Sequence, residues 1–228
     1  MTHFDSHLPD QAAASTHPAP ASTPSSQVMT ALEPQLFYGT PVWVRTITSH
    51  EAINPPLIET LKQLEASTTP VRRSNVGGWH SEINLQRRPD FAPLCRVILQ
   101  AVHRCAQSLD YDFDRGRLNF QSMWANRNGQ GDYNASHVHP NAFLSGSYYL
   151  SVPPDSGNIE FSDPIRERVM MPVPVKPGSS KISKRIEFKC RNGMLVIFPS
   201  WLTHSVQPNR STEMRYSLAF NITSTGTR

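Results

Sequence analysis

The sequence predicts a mainly β domain, a jelly roll built as a double-stranded β-helix with flanking α-helices. Three observations carry that expectation. Beyond about Arg117 the chain falls into short alternating or apolar runs at 118–126, 135–139, 144–152, 158–162, 186–190, 193–198 and 214–222, separated by Gly, Pro, Asn and Asp, the spacing of an all-β sandwich or jelly roll. Ahead of these runs lie two stretches with helical periodicity. Histidines suited to one shared site stand near two strand ends far apart in sequence, and a double-stranded β-helix brings such positions together.

The elements follow in chain order. Residues 1–35 are dominated by Ala, Ser, Thr, Pro, Gln and His, with five prolines, a composition that cannot bury enough surface to offset ordering entropy and reads as a disordered tail. Residues 36–228 then form a single domain. Leu36–Val44 mixes aromatic and β-branched residues and opens it as an edge strand interrupted by Pro41. Leu57, Ile58, Leu61 and Leu64 recur at helical spacing within Pro55–Ala66, with Pro55 and Pro56 expected in the first turn, where proline is tolerated. A second helix is expected from about Phe91 to Leu109, where Leu94, Val97, Ile98, Val102, Cys105 and Leu109 form a stripe. His103 beside that stripe reads as an ordinary helix histidine.

Composition narrows the function classes. A hydrophobic fraction of 38% in 228 residues suits a globular domain with a substantial core. No stretch approaches the roughly 18 to 20 apolar residues of a membrane span, and the first residues lack the pattern of a secretory signal, so a cytoplasmic protein without a membrane partner is expected. Cys95, Cys105 and Cys190 include no CxxC pair and read as free thiols. The net charge is +4, yet the first 36 residues carry only acidic charges, so the remainder is the basic part. Its basic residues sit in short groups, Arg72-Arg73, Arg87-Arg88 and Lys181–Arg185, which read as solvated surface more readily than as a nucleic-acid interface. A homodimer is compatible with the sequence, which does not set the oligomeric state.

The chemistry concentrates in Asn134-Ala-Ser-His-Val-His-Pro-Asn141. In an extended strand residues two apart share a face, so His137 and His139 project together and could chelate one metal ion. Imidazole suits Fe(II), Zn(II) and Ni(II) alike, so the pair alone does not choose among them. His204, in Phe198-Pro-Ser-Trp-Leu-Thr-His204, follows the apolar strand 193–198 and supplies a third imidazole from far along the chain. Ten residues later begins Met214–Ile222, which alternates, with Arg215, Ser217, Ala219 and Asn221 on one face. That face offers a planar cationic fork, a hydroxyl and small neighbours, the requirements of a carboxylate site. Asn126 and Trp124 share a face of the preceding strand and are candidates to line the same pocket.

As an ordered set, Gly77-Gly78-Trp79-His80-Ser81, the His137–Asn141 and Leu144–Leu150 segments, Asn158–Pro164, Phe198–Val206 and Arg215-Tyr-Ser217 resemble the 2-oxoglutarate and Fe(II)-dependent oxygenases, in particular a prolyl-hydroxylase-like bacterial and phage branch. The resemblance covers roughly residues 70–222. It implies a cupin-like jelly roll and a dioxygenase that decarboxylates 2-oxoglutarate to succinate and CO2 while hydroxylating a small-molecule or peptidyl substrate. It also implies iron at His137 and His204, the far carboxylate of 2-oxoglutarate on Arg215 and Ser217, and a further co-substrate donor in Tyr149. The family's usual aspartate is replaced by His139, which leaves three ways to complete the metal site: His139 itself, a carboxylate such as Glu160 or Asp163, or water. A non-catalytic metal- or ligand-binding β-barrel is the competing reading, and retention of the Arg215–Ser217 clamp argues against it. Specificity is expected in Arg72–Gln86 and Ile165–Lys184, where Met170–Pro177 reads as an edge loop.

Overall fold

The computed structural model describes residues 39–165, 174, 176 and 184–226. The expected tail, the start of the opening strand and most of the 165–184 segment, including nearly all of Met170–Pro177, lie outside the described residues. Thr40–Arg228 forms one compact unit.

The strands are β1 (Trp43–Thr46), β2 (Asn75–Val76), β3 (Trp79–His80), β4 (Gly116–Asn128), β5 (Tyr133–His137), β6 (Leu144–Ser151), β7 (Ile159–Ser162), β8 (Arg185–Phe188), β9 (Met194–Pro199), β10 (His204–Val206) and β11 (Arg215–Gly226), and the helices are α1 (His50–Ser67) and α2 (Ala92–Gln107). They build a six-stranded sheet ordered β1-β9-β6-β11-β4-β3 and a five-stranded sheet ordered β2-β5-β10-β7-β8. Among the described residues the pairings between these strands are antiparallel. This is the jelly roll the sequence predicts.

Strict alternation along the central strands sorts their side chains between two cores. On the larger sheet, Met123, Ala125, Tyr148, Leu218, Phe220 and Ile222 join one cluster with Leu57 and Leu61 of α1 and Leu94, Ile98 and Val102 of α2. The second cluster joins Tyr149, Met194, Val196 and Phe198 of the larger sheet to Ile159 and Phe161 of the smaller one. Each fully buried Leu, Ile or Phe contributes on the order of 1.5–3 kcal/mol. Polar ties fix the helix on the sheet: Asn54 of α1 donates to the Leu150 carbonyl at 2.7 Å and accepts from the Tyr148 hydroxyl at 2.6 Å, and Arg127 Nε of β4 donates to Glu65 of α1 at 2.9 Å.

The first helix departs from the sequence expectation. It starts at His50, and Pro55 and Pro56 lie inside it rather than in its first turn. Each proline removes one backbone donor, but Asn54, just ahead of them, is anchored to β6 by the two bonds above, so tertiary contacts hold the helix through the interruption. The second helix ends at Gln107 and not at Leu109. Asp110 takes a left-handed φ of 54° and turns the chain away, leaving Leu109 exposed. The very short strands β2, β3 and β10 carry too few residues for periodicity to reveal them. Among the described residues, no helix is long and apolar enough to cross a membrane.

Candidate functional site

The smaller sheet positions the histidines. His137 closes β5 and faces His204, the first residue of β10, as its direct cross-strand partner. Side chains so paired share a face. β5 ends at His137, short of the expected 139, but the His139 amide donates to the Ser200 carbonyl at 2.9 Å. That bond ties the residue to the turn from which β10 departs and keeps its ring beside the other two. One ligand atom from each of His137, His139 and His204 lies within 4.8 Å of the other two.

The tautomers favour a cation. His137 Nδ1 lies 2.7 Å from the Ala135 carbonyl and His204 Nδ1 lies 2.9 Å from the Leu202 carbonyl. A carbonyl oxygen can only accept, so in both rings Nδ1 carries the proton and Nε2 presents its lone pair. His139 Nε2 and His204 Nε2 stand 3.2 Å apart. Burial, reinforced by the neighbouring His137, pushes His139 down to about 4 and His204 down to about 3; burial also lowers His137. The imidazoles are therefore neutral at ordinary pH, the form that ligates metal. Phe198 packs on His204 with ring centroids 4.6 Å apart, and Trp124 lies 5.5 Å from His139.

Neither acidic candidate joins this cluster of donor atoms. Glu160 pairs with Ser205, one residue out of phase with His204, which pairs with Phe161. Its carboxylate accepts from Gln207 Nε2 at 2.6 Å and from Ser205 Oγ at 3.3 Å. Asp163 accepts from the Ile165 amide at 3.0 Å.

The larger sheet supplies the other end of the site. Arg215 opens β11 and pairs with Asn128 of β4, while Ser217 pairs with Asn126 on one side and with Tyr149 of β6 on the other. These five side chains share the interior face. Their neighbours Arg127, Tyr148 and Leu218 face the helices instead, which is the period of two made visible. Arg215 is 1% exposed. Its Nη1 donates to the Ser156 carbonyl and, at 3.3 Å, to the Gln207 carbonyl. Gly157 makes this seat possible: it takes a positive φ of 87°, and a Cβ there would run into the Gln207 carbonyl and Arg215 Nη1.

Arg215 Nε and Nη2 are buried without hydrogen-bond partners, and the Tyr149 hydroxyl, buried too, has only the Cys190 thiol, a weak partner, beside it. Burial lowers the arginine pKa, and it raises that of Tyr149 well above the usual phenol value, so the tyrosine is a neutral donor. A buried guanidinium with unspent donors is costly unless an anion completes it. The donor set thus fits a carboxylate at one end of the site and a borderline divalent ion at the other.

The sequence singles out Asn126, Tyr149, Arg215 and Ser217, and all four are buried on this face. It overlooks Asn128, two residues beyond Asn126, although the same alternation that selects Trp124 and Asn126 also selects this position. His103, set aside as an ordinary helix histidine, stacks on Phe113 with centroids 5.2 Å apart and takes no part in the site.

Comparison with known proteins agrees with this architecture. Residues 122–221 match the family model described as "Putative 2OG-Fe(II) oxygenase". A search of curated proteins by sequence finds no match. Among solved structures, the chain is similar to a Pseudomonas putida prolyl-4-hydroxylase, with 16% identity, a TM-score of 0.57 and coverage of 81% of this chain and 93% of that one. It is similar to HygX from Streptomyces hygroscopicus, a structure with nickel, 2-oxoglutarate and hygromycin B bound, at 14% identity, TM-score 0.55 and coverage of 81% and 83%. The α-ketoglutarate-dependent epimerase SnoN of nogalamycin biosynthesis matches at 15% identity and TM-score 0.57, covering 83% and 79%. The matched segment runs from β4 to β11 and contains the histidine cluster and the arginine end alike, so the part of the chain that carries the site is the part that is similar to the 2-oxoglutarate and Fe(II)-dependent oxygenases.

Proposed function

We propose that His137, His139 and His204 hold the Fe(II), and that Arg215, with Ser217, Tyr149 and Asn126 around it, holds the far carboxylate of 2-oxoglutarate, in an enzyme acting on a small-molecule or peptidyl substrate. The observation that carries this reading is the pairing of two unspent donor sets across one interior: three neutral imidazoles at one end, and a buried guanidinium with free Nε and Nη2 at the other, with the buried Tyr149 hydroxyl on the same face.

When bound, iron and 2-oxoglutarate supply O2-activating chemistry in which the oxo acid becomes succinate and CO2 and the substrate is oxygenated. The chain's own residues do the rest. The Ala135 and Leu202 carbonyls hold His137 and His204 in the ligating tautomer. Three neutral ligands leave the full charge on the ion, which favours a dianionic co-substrate over the arrangement with one carboxylate ligand. Arg215 fixes orientation by a bidentate grip that its packing against Ser156 and Gly157 makes rigid. Trp124 and Phe198 restrict water around the histidines. Residues 36–228 serve as a single oxygenase domain in this reading.

The test is anaerobic titration of metal-free protein with Fe(II) and 2-oxoglutarate, following the visible charge-transfer band of the chelate, with Arg215→Ala and His139→Ala alongside. The wild type should develop the band. Arg215→Ala should require about a hundredfold more 2-oxoglutarate, the cost of losing a buried charged hydrogen-bond pair. His139→Ala should lose iron affinity. A wild type that takes up iron but gives no band with 2-oxoglutarate would falsify the oxygenase assignment of these residues.

A further inference from the structure

Asn128 is 1% exposed, and both its Nδ2 and its Oδ1 are buried without a hydrogen-bond partner. Leaving a primary amide dry and unpaired costs on the order of 1–3 kcal/mol for each polar group, so a fold that keeps it there is expected to complete it with something. Its location says with what. Asn128 is the direct cross-strand partner of Arg215, which puts the two Cβ atoms about 4.5–5.5 Å apart on one face. The Arg215 guanidinium is unspent at Nε and Nη2, and the Ser156 hydroxyl, on the loop whose carbonyl receives Arg215 Nη1, is buried and unpartnered as well. Unsatisfied donors therefore gather at the Arg215 end of the interior, and Asn128 is the neutral, planar one among them. The flanking residue Arg127 faces outward to Glu65, so the register of β4 is fixed and Asn128 cannot rotate its side chain to solvent without breaking the pairing with β11.

We infer that Asn128 is a co-substrate-binding residue, its Nδ2 donating to the same distal carboxylate that Arg215 receives. This rests on the reading above of the Arg215 end as the carboxylate seat, and adds to it a residue that selects for a dicarboxylic oxo acid. A neutral amide donor beside the guanidinium gives the second carboxylate oxygen a directed partner, whereas an acid at this position would repel it.

The experiment compares wild type, Asn128→Ala and the isosteric Asn128→Asp as full-length, Fe(II)-loaded proteins under anaerobic conditions. Each is titrated with 2-oxoglutarate and, separately, with 2-oxobutyrate, which has the chelating end but no distal carboxylate. The expected result is a rise in the 2-oxoglutarate Kd of about tenfold for Asn128→Ala and about fiftyfold for Asn128→Asp, the range for a hydrogen bond to a charged group, with 2-oxobutyrate binding within about twofold of wild type throughout. Unchanged 2-oxoglutarate affinity in both variants overturns the inference and assigns the amide to ordered water. An equal loss for both oxo acids overturns it too, and makes Asn128 a support of the strand. Should the variants not fold, the Asn128 side-chain amide resonance of Zn(II)-loaded wild type provides the reading: it moves on adding 2-oxoglutarate and not 2-oxobutyrate, or the inference fails. A wild type that binds iron but neither oxo acid strikes at the parent reading as well, and is distinguishable from an Asn128 effect confined to the variants.

Discussion

The two sheets do different work, and they are built differently. The larger sheet has long central strands, β4 and β11, paired over twelve positions, and it is backed by both helices. The smaller sheet has strands of two to five residues and contributes only Ile159, Phe161, Phe188 and Val206 to the core between the sheets. The Arg215 end of the candidate site stands on the first, the histidine cluster on the second. A bidentate clamp must be held to fractions of an ångström and benefits from a rigid, doubly buried scaffold. A metal cluster can rest on short strands, because the ion itself cross-links the residues that bind it.

That contrast can be broken by mutation. Phe220→Ala, at a fully buried position between β11 and the helices, should cost about 3–5 kcal/mol in urea unfolding. Phe188→Ala, on the half-buried β8, should cost less than half of that; equal costs would show that the smaller sheet is not the weaker one. Next in size, saturating Fe(II) should raise stability by about 2.7 kcal/mol at a hundred times its Kd, and amide exchange should slow chiefly in β5 and β10. Slowing spread evenly over β4, β6 and β11 would contradict the division of labour. Ser217→Ala removes one neutral donor beside Arg215 and should weaken 2-oxoglutarate binding by about fivefold, far less than the loss of Arg215.

A separate prediction concerns the thiols of the larger core. Burial raises Cys95 and Cys105 from 9.0 to about 11. At pH 8 each is about a thousandth thiolate, so native protein should resist thiol reagents that label all three cysteines once it is unfolded. The folded state keeps its protons to higher pH than the unfolded state, so this contribution is intact below about pH 9 and declines as pH rises toward 11. A flat denaturation midpoint between pH 8.5 and 10.5, as roughly bracketed by those values, would argue that the two thiols are less buried than α2 and the larger sheet make them.

Much of this architecture can be read in the sequence, and the reasons are local. Each of the long strands expected after Arg117 has its counterpart, because alternation of side-chain character is written along each strand and needs no partner to be seen. Arg215, Ser217, Asn126 and Trp124 could be assigned to a face for the same reason. Features that depend on neighbours were harder to read. The start of α1 at His50 depends on Asn54 reaching Leu150 and Tyr148, some hundred residues away. The fate of Glu160 depends on register: one residue decides whether it faces the histidines or Gln207.

The sequence by itself determined the fold class, the faces of the strands and the residue types available for iron and carboxylate chemistry, since these follow from composition, period and spacing. Tertiary structure alone decided that His204, 65 residues beyond His139, brings a ring nitrogen within 4.8 Å of those of His137 and His139, that the Nδ1 protons of His137 and His204 go to backbone carbonyls, and that Arg215 and Asn128 are left with unspent polar atoms in the same interior. Convergence and satisfaction are properties of pairs brought together by long-range pairing, and no single stretch of chain encodes them.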